Sequence, residues 1–134
     1  MPRFIDSSVI LRYLTEDDPK RARVAEAIIE SDDLVLSSLI LSEIAYVLHK
    51  EYGRSRTSVI EALILLLERE NIQLVDVPNH LAAVALRKSQ ASSRLSFGDA
   101  LILAQMQASG HREIYSFETR FRDDDITVLD VPIG

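Results

Sequence analysis

Arg3-Phe4-Ile5-Asp6-Ser7-Ser8-Val9-Ile10-Leu11-Arg12-Tyr13-Leu14 decides how the rest of the chain reads. Arg3 to Asp6 reads as a short strand. Val9, Ile10, Tyr13 and Leu14 recur at the helical period, which predicts a helix over Ser7 to Leu14. The turn between them is very tight, so Asp6 stands at the carboxyl end of an apolar strand. Aspartate is also a preferred helix N-cap, and an ordinary cap is the competing reading of Asp6.

Working outward, Asp17-Asp18-Pro19 is a helix-start signal, with Asp18 as N-cap and Pro19 at the first position of a helix reaching Ser31. A strand follows over Leu34 to Ser37. Next come a helix from Ser38 to Tyr52, stopped by Gly53, and a Leu- and Ile-rich helix from Thr57 to Glu70, the two forming a hairpin. Ile72 to Val77 alternates as a strand, after which Asn79 is expected to cap a helix to Ala91. Ser96 caps a further helix to Ser109, closed by Gly110. Ile114 to Ser116 and Thr127 to Val131 read as the last strands, with an irregular turn over Phe117 to Phe121. Such alternation implies an α/β fold whose mostly parallel sheet is covered by helices on both faces. In such sheets ligands bind beyond the carboxyl ends of the strands.

The 134 residues fit one domain, 1–134. No cysteine is present, which excludes disulfides, thiolate catalysis and cysteine-held metals. No stretch approaches the ~20 apolar residues of a membrane span, and the opening residues lack a signal-peptide pattern, so a cytoplasmic location is expected. A net charge of −6 argues against a simple electrostatic nucleic-acid binder. Bound divalent cations would offset part of that deficit where phosphate approaches. Of the 15 basic residues 12 are Arg, whose planar fork suits phosphate oxygens.

Most acids sit in runs or on polar faces. Glu43 differs: Leu39, Ile40, Tyr46 and Val47 lie one turn away from it, which predicts a partly buried carboxylate in need of a cation, the competing readings being a buried ion pair with an Arg and a helix edge more exposed than the pattern suggests. Asp99, in Ser96-Phe97-Gly98-Asp99-Ala100-Leu101-Ile102-Leu103, lies in a first helical turn, where the dipole favours negative charge. Glu118 directly follows the strand Ile114 to Ser116. Four carboxylates meeting at one sheet edge would repel, raising some pKa values unless cations intervene. An all-oxygen cluster suits magnesium or manganese. His49, His80 and His111 are scattered, which disfavours zinc.

The chain resembles the PIN-domain ribonucleases, in particular the VapC-type toxins of toxin–antitoxin pairs. The resemblance runs over essentially the whole length, on Phe4-Ile5-Asp6-Ser7-Ser8, Ser42-Glu43-Ile44, Ser96-Phe97-Gly98-Asp99-Ala100-Leu101-Ile102 and Tyr115-Ser116-Phe117-Glu118-Thr119-Arg120-Phe121. It implies a three-layer fold with a central sheet of about five strands. Asp6, Glu43 and Asp99 match the family's metal ligands. At the fourth family position, usually Asp, this chain has Glu118, the fourth catalytic and metal-holding candidate, one methylene longer and able to act directly or through a water. Ser8 and Ser116 match polar positions that support the site.

The resemblance further implies a magnesium-dependent endoribonuclease, a homodimer and a small antitoxin whose segment fills a groove beside the acids. Val9, Leu14, Ile28 and Ile29 are apolar enough to contribute a patch, although core contacts explain them equally well. Arg94, Arg120 and Arg122 flank the acidic motifs and are candidates to hold RNA. The alternatives are a degenerate domain that binds RNA or a partner without cutting, and a haloacid dehalogenase-type phosphatase. The latter wants a second Asp where Ser8 stands. A receiver domain is disfavoured because no strand-end Asp is evident in mid-chain.

Overall fold

A computed structural model of the chain describes residues 1–91, 95–117 and 126–129. Arg94, Glu118, Arg120 and Arg122, the turn beyond Phe117 and the end of the last expected strand lie outside them. The order is β1 (Arg3–Phe4), α1 (Ser7–Thr15), α2 (Pro19–Ser31), β2 (Leu34–Leu36), α3 (Ser38–Lys50), α4 (Arg56–Leu67), β3 (Ile72–Leu74), α5 (Asn79–Gln90), α6 (Phe97–Ser109), β4 (Glu113–Tyr115) and β5 (Thr127–Leu129).

The α/β class and parallel pairing hold, with one difference in the sheet. Among the described residues the five strands form a three-stranded sheet, β1-β2-β3, and a pair, β4-β5, where one sheet of about five is expected. All pairings are parallel, with Phe4 beside Val35 and Leu36 beside Leu74. The carboxyl ends of β1, β2 and β3 therefore share one edge. Each strand is only two or three residues long, because side chains at the strand ends leave the ladder to cap helices.

Local chemistry explains the helix starts. Asp18 caps α2, with Pro19 behind it, and its carboxylate accepts from Arg21 N–H. Ser37, Ser55 and Ser96 cap α3, α4 and α6. Gly110 closes α6 at φ 77°, a left-handed geometry that costs glycine little. Glu16 does the same for α1 at φ 55° without being glycine. There the adjoining Asp17 accepts from Thr15, Arg12 and Tyr52, and Arg54 reaches back to the Leu14 carbonyl.

Asn79 is a correction. The cap position of α5 belongs to Pro78, and the Asn79 side chain turns to the outer edge of β3. It accepts from Leu74 N–H at 2.9 Å and donates to the carbonyls of Ile72 at 2.8 Å and Leu67 at 3.1 Å. The amide thus stands in for a missing neighbouring strand, blunting an edge that would otherwise invite pairing.

The core is continuous from Ile10 and Ile29 through Leu36, Leu41, Ile44 and Leu48 to Ile60, Leu63 and Leu86, all fully buried. Side chains of this size contribute about 1.5–3 kcal/mol each on burial. Ile29 belongs to this core, while Val9, Leu14 and Ile28 are half-buried against it. Central to the helical packing is α3, which meets α1, α4 and α6.

Candidate active site

The tight turn after β1 makes Asp6 the N-cap of α1 while leaving its carboxylate exposed at the strand end. Ser8 donates to the same oxygen twice, from Oγ at 2.7 Å and from N–H at 3.3 Å. The Ser8 hydroxyl above all, then its N–H, holds the Asp6 carboxyl below the ordinary value of 3.8. The cap and the strand-end acid are one arrangement, and its effect on Asp6 runs opposite to mutual repulsion. Ser8 thereby orients Asp6.

Glu43 sits in the second turn of α3 and is exposed, which overturns the expected burial. The buried stripe is Ser38, Leu41, Ala45 and Leu48 with Ile44, on the other side of the helix. Leu39 is 76% exposed and Tyr46 61%, so the apolar neighbours of Glu43 are themselves in solvent. α3 is apolar almost all round, and the packing of α1, α4 and α6, invisible in its own sequence, decides which side is covered.

Asp99 lies in the first turn of α6, half-exposed, with its backbone N–H bound to Ser96 Oγ at 3.0 Å. Its helix is laid directly on α3. A Cβ on Gly98 would meet Ser42 Oγ at 3.6 Å, an ordinary contact distance. Ser42 and Gly98 are the sequence neighbours of Glu43 and Asp99, so the stretches of α3 and α6 that carry the two acids are packed on each other.

The opening of α6 is also held from α4. Arg56 donates from Nε to the Ser89 carbonyl at 3.1 Å and from Nη2 to the Leu95 carbonyl, while its guanidinium lies 4.7 Å from the centre of the Phe97 ring. Burial pulls the Arg56 pKa down. His49 meets Phe97 edge-on, with Nδ1 on the Arg54 carbonyl. His111 contacts Ser109 at the surface and His80 is exposed, so none of the three histidines approaches the acids as a group.

Among the described residues no three of His, Asp and Glu come close enough together to enclose a metal. Glu118 lies outside those residues, and Ser116 is half-buried just past β4. At the end of β1, Asp6 and Ser8 offer carboxylate and hydroxyl oxygens, donors of the kind a hard divalent cation takes.

One acid went unnoticed in the sequence. Asp76 stands just beyond β3 and binds Ser38 at the start of α3. It is a mid-chain strand-end Asp of the kind thought absent. The expected strand runs to Val77 and takes Asp76 into it, whereas β3 ends at Leu74. The signal was available in Leu74-Val75-Asp76-Val77-Pro78, an acid before a proline break, as at Asp17-Asp18-Pro19.

A family model described as PIN domain matches residues 3–125. No curated protein matches the chain.

Proposed function

Because the chain belongs to the PIN domain family, whose members are generally nucleases, we propose that it is a magnesium-dependent endoribonuclease and the toxin of a toxin–antitoxin pair. The observation that supports the reading is the packing of α6 on α3, with a Cβ on Gly98 falling 3.6 Å from Ser42 Oγ, since these two residues adjoin Asp99 and Glu43 in the chain.

Asp6, Glu43 and Asp99 would hold the cation, with manganese as a substitute and Glu118 contributing through water. When bound, the metal supplies positive charge at the scissile phosphate and lowers the pKa of a water. The chain's own part is orientation. Ser8 fixes the Asp6 carboxylate, and Ser96 fixes the first turn that presents Asp99. Ser116 is a supporting group, and Arg94, Arg120 and Arg122 are the residues to hold the RNA backbone.

An antitoxin segment has a groove of about 430 Å³ to enter, lined by Val9, Leu11, Val24, Ala25, Ile28 and Val47. Ser8, the residue bound to Asp6, is part of the lining, so an occupant would come near Asp6. The expected assembly is a homodimer, whose interface would have to leave Glu43 open. The expected setting is the cytoplasm; no helix among the described residues is long and apolar enough to cross a membrane.

The test is cleavage of RNA with magnesium and with chelator. Wild type cuts only with the metal, and Asp6→Asn loses at least ~100-fold, the scale on which a displaced reacting group slows a reaction. Equal cleavage by both proteins refutes the proposal. Metal binding without cleavage of any RNA turns the reading to a degenerate binding domain.

A further inference from the structure

We infer that Asp76 is a positioning residue for the acidic site, setting Glu43 relative to Asp99 by locking the start of α3 to α6. The inference rests on the nuclease reading above and deepens it.

Asp76 Oδ1 accepts from Ser38 N–H at 3.0 Å, and Oδ2 accepts from the same N–H at 3.2 Å and from Ser38 Oγ at 2.5 Å. Gln105 Nε2 then donates to Ser38 Oγ at 2.8 Å and to Asp76 Oδ2 at 3.3 Å. Ser38 is the first residue of α3 and is buried; Gln105 lies in the second half of α6. One carboxylate therefore joins the end of β3 to the two helices bearing Glu43 and Asp99.

The physical logic is that of a fixed anchor. The first N–H groups of a helix have no partner within it, and a carboxylate there also meets the positive end of the dipole. Asp76 is itself immobilised, because Val75 N–H binds the Leu36 carbonyl at 3.0 Å on one side and Val77 is buried on the other. Ser38 and Ser42 are one turn apart on α3; Ser38 binds Gln105 of α6, and a Cβ on Gly98 of α6 would fall 3.6 Å from Ser42 Oγ. Sliding or rotating α3 on α6 would break the Asp76–Ser38–Gln105 network and shift Glu43 relative to Asp99. Both Asp76 oxygens are engaged by Ser38, which suits a positioning group better than a metal ligand.

The experiment uses the full chain as wild type, Asp76→Ala, Asp76→Asn, Gln105→Ala and Asp6→Asn. Binding of manganese alone is followed by titration calorimetry, and magnesium-dependent RNA cleavage is resolved into kcat and KM. Asp76→Ala is expected to weaken manganese binding roughly tenfold and to lower kcat with KM little changed. Asp76→Asn, whose amide oxygen still accepts from Ser38 N–H, returns to within about threefold of wild type, the scale of one hydrogen bond. Gln105→Ala leaves the carboxylate–Ser38 bonds intact and loses about threefold, which carries the test if Asp76→Ala does not fold. Asp76→Ala or Gln105→Ala matching wild type, while Asp6→Asn is inactive, overturns the positioning role and leaves the nuclease reading standing. Asp76→Asn as impaired as Asp76→Ala also overturns it, making Asp76 a ligand. Wild type that neither binds manganese nor cuts RNA overturns both.

Discussion

Asn79→Ala exposes the outer edge of β3, and the size of the loss separates an edge plug from a helix cap. Asn79 makes one accepted and two donated hydrogen bonds, to Leu74, Ile72 and Leu67, all partly buried. Neutral bonds contribute about 0.5–1.5 kcal/mol each, and leaving the Leu74 N–H without a partner adds desolvation. The expected cost is about 3 kcal/mol, against ~1 kcal/mol for a lost cap. In urea unfolding this lowers the midpoint with an unchanged slope, and in thermal unfolding it lowers Tm by roughly 10 °C. Asn79→Ser is the control, since serine caps helices well but is too short to span both sides of the strand edge. It should lose as much as alanine, to within about 0.5 kcal/mol. Asn79→Ser at wild-type stability, or alanine costing under ~1 kcal/mol, would refute the argument.

Ser8→Ala moves the Asp6 pKa back up, since the Ser8 hydroxyl is the largest cause of its lowering. A carboxyl lowered in the folded state gives stability present above its unfolded pKa, about 3.9, and lost as the pH falls through its folded value. The variant should therefore lose activity at a higher pH on the acid side, read from RNA cleavage across about pH 3 to 7; a shift to lower pH would contradict the role of Ser8. Leu36→Ala empties a fully buried position in the central strand and should cost ~2–5 kcal/mol by urea unfolding, whereas Leu39→Ala, on the open side of α3, should fall within about 0.5 kcal/mol. Equal costs would mean that the exposed face of α3 is misassigned.

Where a signal is local, the sequence carries it. Asp18-Pro19 opens α2 and Ser96 and Gly110 bound α6 as expected, because each cap is made within a few residues of the helix it serves. The acid at the end of β1 is legible for the same reason. What escaped depends on partners far along the chain. The exposure of Glu43 is decided by which helices wrap α3. Asn79 is diverted from its expected cap by the bare edge of β3, and Asp76 acquires its role only when Ser38 and Gln105 are folded against it. The division of the strands into a trio and a pair is likewise set by packing, since strands this short carry little register information of their own.

Arg56 has a consequence for mutational tolerance. It belongs to a helix without a candidate acid, yet it rivets the segment leading into Phe97 through two carbonyls and a ring face. A lysine has one compact ammonium and cannot fork to both carbonyls while lying flat on an aromatic. Variation in α4 is therefore constrained by chemistry performed elsewhere, and a single-letter change at a remote helix start would be felt at the opening of α6.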